Sequence, residues 1–203
     1  MFENILLPQT KDLLDKLKPE NFPTGTYLGG GTAVALYLGH RRSEDLDFFT
    51  QDDFQEDQWQ QELEKRLDFK TIQKDKRSLI GAVGKVKLSL LGYRYKLIEK
   101  KEKIYNLELA SLPDLAAMKL STVVGRGTKR DLIDIYFLAQ KFSLGELFSF
   151  YQEKYGNLEE AEIAIKKGLV YFKEADQDEL PEMLVPIDWK KIKNWLKKET
   201  LKA

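Results

Sequence analysis

The chain has 203 residues, with 33 Lys+Arg against 33 Asp+Glu, one His and no Cys. These counts exclude disulfide scaffolds, thiolate metal sites and cysteine nucleophiles, and they leave one residue for any histidine-dependent chemistry. There is no apolar run of about 18 residues, and the start, Met1-Phe2-Glu3-Asn4, lacks a basic stretch followed by an apolar core. The expectation is therefore a protein without a membrane span or secretory signal, in the cytoplasm. At 42% hydrophobic residues the chain can bury a core, while its balanced 33% charged fraction leaves nucleic-acid binding open.

In chain order, Leu6, Leu13, Leu14 and Leu17 recur at helical spacing over residues 2–17, and Pro19 and Pro23 then break the chain. Residues 24–28 read as a short strand, Gly29-Gly30-Gly31 as a turn, 32–38 as a helix and 45–50 as a strand. An amphipathic helix is expected over 54–67. Strands are expected over 69–73, 79–83, 84–91 and 93–99, with a last short one over 104–109. From Ser111 the period changes from two to 3.6. Ser111 is a candidate N-cap, with proline in the first turn. Helices are expected over 114–124, 128–141, 144–155, 159–172 and 188–201; the lysine-rich last one reads as a solvated face. The expected organisation is an α/β domain over residues 1–110 and a helical domain over 111–203.

The chemistry concentrates at Gly29-Gly30-Gly31-Thr32 and at Asp45-Leu46-Asp47. On a strand Asp45 and Asp47 share a face, roughly 7 Å apart by strand rise. Their repulsion is roughly 2 kcal/mol at an effective dielectric of about 20. A divalent cation relieves it, and Mg²⁺ suits carboxylates combined with substrate phosphates. The glycine turn lies between a strand and a helix N-terminus, where backbone N–H groups approach a phosphate closely, with Thr32 offering a hydroxyl. No lysine follows the glycines as in a Walker loop, and Val34 stands where the dinucleotide fingerprint has its third glycine. His40 is either a base or a loop hydrogen-bonding group. Of Arg41 and Arg42, one can meet phosphate and the other a carboxylate. Tyr93 and Tyr95 either stack on a base or serve the core.

The strings Leu28-Gly29-Gly30-Gly31-Thr32-Ala33 and His40-Arg41-Arg42-Ser43-Glu44-Asp45-Leu46-Asp47-Phe48-Phe49 resemble nucleotidyltransferase toxins of the AbiEii/AbiGii kind. Those toxins belong to the DNA polymerase β-like nucleotidyltransferase superfamily. A second block resembles the family's helical K…R-x-x-(K/R)-D-x-x-D motif: Asp114 to Leu120 with Lys119, continuing into Arg126-Gly127-Thr128-Lys129-Arg130-Asp131-Leu132-Ile133-Asp134. The resemblance implies an α+β fold: a mixed sheet of nucleotidyltransferase type with flanking helices, followed by a helical C-terminal part. It implies Mg²⁺-dependent transfer of NMP from an NTP to a hydroxyl of tRNA or protein, by a toxin of a toxin–antitoxin or phage-defence pair with a separate antitoxin. The implied catalytic residues are Asp45, Asp47, Lys119, Asp131 and Asp134, with Asp45 and Asp47 binding metal. The implied substrate-binding residues are Gly29, Gly30, Gly31, Thr32, Arg42, Ser43, Arg126 and Lys129. Lys119 and Arg126, seven apart, are expected on one helix face, and Arg130 can pair with Asp134.

One departure accompanies the resemblance. Superfamily members carry a third carboxylate on a later strand, and the corresponding position here holds Ser89. A serine cannot serve as a carboxylate base. Either Glu99 or Asp131 substitutes for it, or two carboxylates suffice, or the chain is a nucleotide- or RNA-binding module on the same fold.

Overall fold

The computed structural model describes residues 1–125, 127–156 and 159–203. Among these residues there are seven strands in one mixed sheet and eight α-helices. Pro8, with no N–H to leave unpaired, opens α1 (Pro8–Lys16) after a short 3₁₀ turn, Glu3–Ile5. This splits the helix expected over 2–17. The strand β1 (Tyr27–Gly29) then runs directly into α2 (Gly30–Leu38), and β2 (Leu46–Thr50) follows. Beyond α3 (Glu56–Leu67) come β3 (Phe69–Asp75), β4 (Ser78–Val83) and β5 (Val86–Gly92).

Two expected strands come out differently. Residues 93–99 form no strand: the Tyr93 N–H bonds the Thr50 carbonyl, the Tyr95 carbonyl accepts from Gln51, and the groups of Lys96, Ile98 and Glu99 are met by a buried ion pair described below. The strand expected over 104–109 is a hairpin, β6 (Glu102–Ile104) and β7 (Leu107–Leu109), turning at Tyr105 with its φ of 52°.

The sheet order is β3-β4-β5-β2-β1-β7-β6. β1 lies antiparallel to β2 and parallel to β7, and β2 lies parallel to β5. The alternation on β2 turns Leu46, Phe48 and Thr50 into the core and leaves Asp47 and Phe49 half-buried on the opposite face. The β2–β5 register sets Asp47 beside Ser89 and Phe49 beside Leu91.

Side-chain caps start the helices of the second half. Ser111 accepts from the Asp114 N–H at the head of α4 (Leu112–Thr122), and Thr128 from the Asp131 N–H at the head of α5 (Lys129–Leu138). Ser143 and Glu146 form a capping box on α6 (Leu144–Tyr155). α7 (Glu159–Val170) and α8 (Trp189–Thr200) complete the chain; α8 buries Ile192 and Leu196 and faces solvent with its lysines. α2 packs against both α4 and α5. No helix among the described residues is long and apolar enough to cross a membrane.

Leu28 is fully buried in β1, an interior strand bonded to β2 on one side and β7 on the other. Leu28→Ala is expected to lower stability by about 2–5 kcal/mol, read as a lower urea midpoint at unchanged m-value.

Candidate active site

The turn from β1 into α2 has no room for side chains. Gly30 takes a φ of +65°, and a Cβ on it would lie 2.6 Å from Asp47 Oδ2; a Cβ on Gly31 would lie 2.6 Å from Arg41 Nη2. Gly29 caps α2 with no side-chain hydrogen bond, so the first-turn N–H groups have no side-chain acceptor. The Thr32 hydroxyl donates to the Asp45 carbonyl and lies 2.8 Å from Ser43 Oγ. These two bonds fasten the first turn of α2 to the segment that precedes β2. Thr32 is thus buried and bonded within the protein.

Gly30, Gly31, Thr32, Ser43, Asp45 and Asp47 meet at one end of a cavity of about 590 Å³. Its other walls come from Phe49 on β2, Leu91 at the end of β5, Tyr93, the Leu115–Met118–Lys119–Thr122 stripe of α4, and Thr128, Arg130 and Asp131 at the start of α5. A larger cavity of about 880 Å³ lies where Phe48 points, between the Pro19–Asn21 turn and the β6–β7 hairpin. It contains neither the glycine turn nor the paired aspartates.

A buried charge network sits behind the smaller cavity. The Asp134 carboxylate, fully shielded from solvent, receives Arg41 in a fork (Nε to Oδ1 2.7 Å, Nη2 to Oδ2 2.8 Å). It also accepts from His40 Nε2 at 2.8 Å and lies 2.9 Å from Lys119 Nζ. Because an ionised carboxylate only accepts, His40 carries its proton on Nε2, and Nδ1 has no partner. Lys119 donates to Asp131 at 2.8 Å as well, and Asp131 accepts from Thr128 Oγ1 at 2.6 Å. Burial alone would raise the Asp134 pKa; the Arg41 and Lys119 charges outweigh it and hold the carboxyl well below its usual range. Lys119 is likewise disfavoured as a cation by burial, but Asp134 and Asp131 raise its pKa.

The paired aspartates contrast with Asp134. Among the described residues neither Asp45 nor Asp47 has an ion-pair partner. Burial raises the Asp47 pKa, hydrogen bonding to Ser89 opposes this, and the Asp45 charge adds to the rise. Two hard-oxygen ligands on a cavity wall, unmatched by a protein cation, fit Mg²⁺ held by one or two carboxylates together with substrate oxygens. No cluster of three or more Asp, Glu or His with metal-holding geometry occurs among the described residues.

The expected site residues fall into five groups. Gly30, Gly31, Thr32, Ser43, Asp45, Asp47, Lys119 and Asp131 line the cavity. Gly29 ends β1 opposite Asp47, with the Phe49 ring against it. Asp134 lies behind the wall and pairs with Arg41 rather than Arg130. Arg42 and Lys129 are engaged elsewhere: Arg42 Nε bonds Glu182 Oε1 at 2.6 Å, and Lys129 bonds Asp178 through both its N–H, at 2.8 Å, and its ammonium. Arg126 lies outside the described residues, and α4 ends at Thr122, before that position. Arg41 and Phe49 stood outside the expected set. Strand alternation from Asp47 points to Phe49, whereas nothing local separates Arg41 from Arg42.

The family model for the nucleotidyltransferase AbiEii toxin of type IV toxin–antitoxin systems matches residues 12–81 and 93–201. The unmatched stretch between them contains β5 with Ser89. The uncharacterized protein aq_aa25 of Aquifex aeolicus is 32% identical over 200 residues, covering 96% of this chain and 95% of that protein. JHP933 from Helicobacter pylori has a similar structure, with a TM-score of 0.58 at 18% identity over 97% of this chain and 92% of that one. MenT4, a nucleotidyltransferase toxin of Mycobacterium tuberculosis, matches with a TM-score of 0.57 at 15% identity over 95% and 82%. These structural likenesses establish the fold.

Removing the Asp134 charge strands Arg41 and Lys119. Asp134→Asn is expected to cost about 3–5 kcal/mol of stability, measured by urea unfolding at neutral pH. The folded chain depresses the Asp134 pKa, so the stability this gives is complete above the ordinary aspartate value of 3.8 and is lost as the pH falls toward the folded value. Asp134→Asn should therefore flatten the stability profile in that acid window.

Proposed function

The chain belongs to the AbiEii family of nucleotidyltransferase toxins, and from that premise we propose that it transfers NMP from an NTP to a hydroxyl of tRNA or protein with Mg²⁺ at Asp45 and Asp47. The observation that carries this reading is the meeting, in one cavity, of an uncapped helix N-terminus at Gly30 and Gly31 with two carboxylates that lack a protein cation. The first-turn N–H groups of α2 receive triphosphate oxygens, and the helix dipole favours the anion. Asp45 and Asp47 hold the metal, whose bound charge neutralises the triphosphate and favours departure of pyrophosphate. Ser43 and Arg130 face the same space and add a hydroxyl and a cation for phosphate. Lys119 contributes positive potential, already balanced by Asp131 and Asp134, and keeps the α4 wall in place.

Ser89, in register with Asp47 and hydrogen-bonded to it, is buried outside the cavity lining and cannot serve as a carboxylate base. That observation favours a second reading, a nucleotide-binding module without transfer. The reading as a toxin implies a cognate antitoxin.

Incubating the protein with Mg²⁺, each labelled NTP in turn, and total tRNA or lysate tests the two readings. Transfer predicts label in tRNA or protein, lost by at least about 100-fold in Asp47→Asn, the order seen when one preorganised charge-stabilising group is removed. NTP binding with no label from any of the four nucleotides would establish the binding module instead.

A further inference from the structure

We propose that the buried Asp114–Lys154 ion pair positions the nucleobase end of the cavity, holding residues 93–99 so that the Tyr93 ring forms the wall on which the base of the NTP stacks. This rests on the NTP reading given above. Lys154 Nζ lies 2.6 Å from Asp114 Oδ1, and both side chains are completely shielded from water. Removing two ions from water is costly and gives little net stability compared with an apolar pair, so a sequence gains little by keeping such a pair for stability alone.

Apart from the Ser111 hydroxyl, which donates to Asp114 Oδ2 at 2.7 Å, the remaining bonds of the pair converge on one segment. Asp114 accepts from the N–H groups of Ile98 at 3.0 Å and Glu99 at 3.3 Å, and Lys154 donates to the Lys96 carbonyl at 2.9 Å. Residues 93–99 follow β5 directly; the Tyr93 N–H bonds the Thr50 carbonyl at the end of β2, and beyond it the bonds to Asp114 and Lys154 take the place of a strand ladder. The Lys154 ammonium also sits 5.6 Å from the centre of the Tyr93 ring, and the Tyr93 hydroxyl bonds that of Tyr155, one residue beyond Lys154. The pair thus fixes both the backbone of the segment and the ring that lines the cavity.

The position of that ring suits a base. Along β2 and β5 the cavity wall passes from the polar Asp47 to the apolar Phe49–Leu91 pair, about 7 Å further along the strands. Tyr93 continues this apolar end, edge-on to Phe49 at 5.4 Å between ring centres. Leu115 and Met118 face it from α4, the helix that also carries Asp114. A planar heteroaromatic ring, with its phosphates at the glycine turn, fills that end with stacking and apolar contact.

The test compares the unmutated chain with Tyr93→Ala and with the double variant Asp114→Leu/Lys154→Met, which removes both charges together. NTP KM and kcat are measured in the transfer assay, NTP Kd by calorimetry, and folding by near-UV circular dichroism and urea unfolding. The double variant is expected to stay folded, with KM and Kd raised about 10-fold, the order of one lost stacking contact, and kcat within about threefold. Tyr93→Ala should give the same rise, and combining all three substitutions should add nothing further. A folded double variant with unaltered KM and Kd would reduce the pair to packing and overturn the proposal. If the double variant fails to fold, Tyr93→Ala decides alone, and unaltered NTP affinity in it overturns the proposal. Failure of the NTP reading itself shows in the unmutated chain, as no NTP binding.

Discussion

Three walls of the cavity meet at one buried carboxylate. Asp134 lies on α5, takes the guanidinium of Arg41 from the segment between α2 and β2, and takes the ammonium of Lys119 from α4. In water such contacts are worth little; at a site shielded from solvent the same charges have no alternative partner, so geometry is dictated by pairing. Arg41 in turn lies so close to α2 that only glycine fits at position 31. The glycine turn, the helix that shapes the phosphate end, and the segment bearing Asp45 and Asp47 are held in register from behind. Lys119 and Arg41 offset Asp134 and Asp131, so the network is balanced; Asp45, Asp47 and Arg130 are the charges in the cavity with no ion-pair partner among the described residues.

The chemistry was legible in the sequence where it is local. Asp45, one residue before β2, and Asp47 on it line one cavity, two residues apart, and the glycines stand at a strand-to-helix junction because no side chain fits there; both follow from neighbours within about twenty residues. Caps were legible for the same reason, as at Ser111, whose partner is three residues on. Long-range pairing was not. Arg41 and Arg42 are adjacent and chemically identical, and only the fold sends one inward to Asp134 and the other to Glu182. Lys129, inside the motif block, is taken by Asp178, an acid outside any motif. Residues 93–99 have strand-like composition, but residues 96, 98 and 99 take their hydrogen bonds from Asp114 and Lys154, which no period in the segment could reveal.

The same contrast explains why the helical half belongs to the site. α4 supplies Leu115, Met118 and Lys119 to the cavity, and its first turn carries Asp114. α6 makes no cavity contact among the described residues except through what it holds: Lys154 and Tyr155 brace the segment that bears Tyr93. The open end of the cavity is thus supported by helices made late in the sequence, and the phosphate end by a turn made early.

Arg41 and its partner Asp134 stand 93 residues apart, and β1 is bonded to a strand, β7, from well beyond the middle of the sheet's own sequence. On a ribosome, which releases the chain from its N-terminus, Asp45 and Asp47 are therefore made long before anything can brace them. The glycine turn and the aspartates can exist on a nascent chain only as a loose hairpin-like fragment, with no α4 wall and no counterion for Arg41. A chain whose active form harms its own cell thus stays incapable of assembling its cavity until α5, ending at Leu138, has left the exit tunnel.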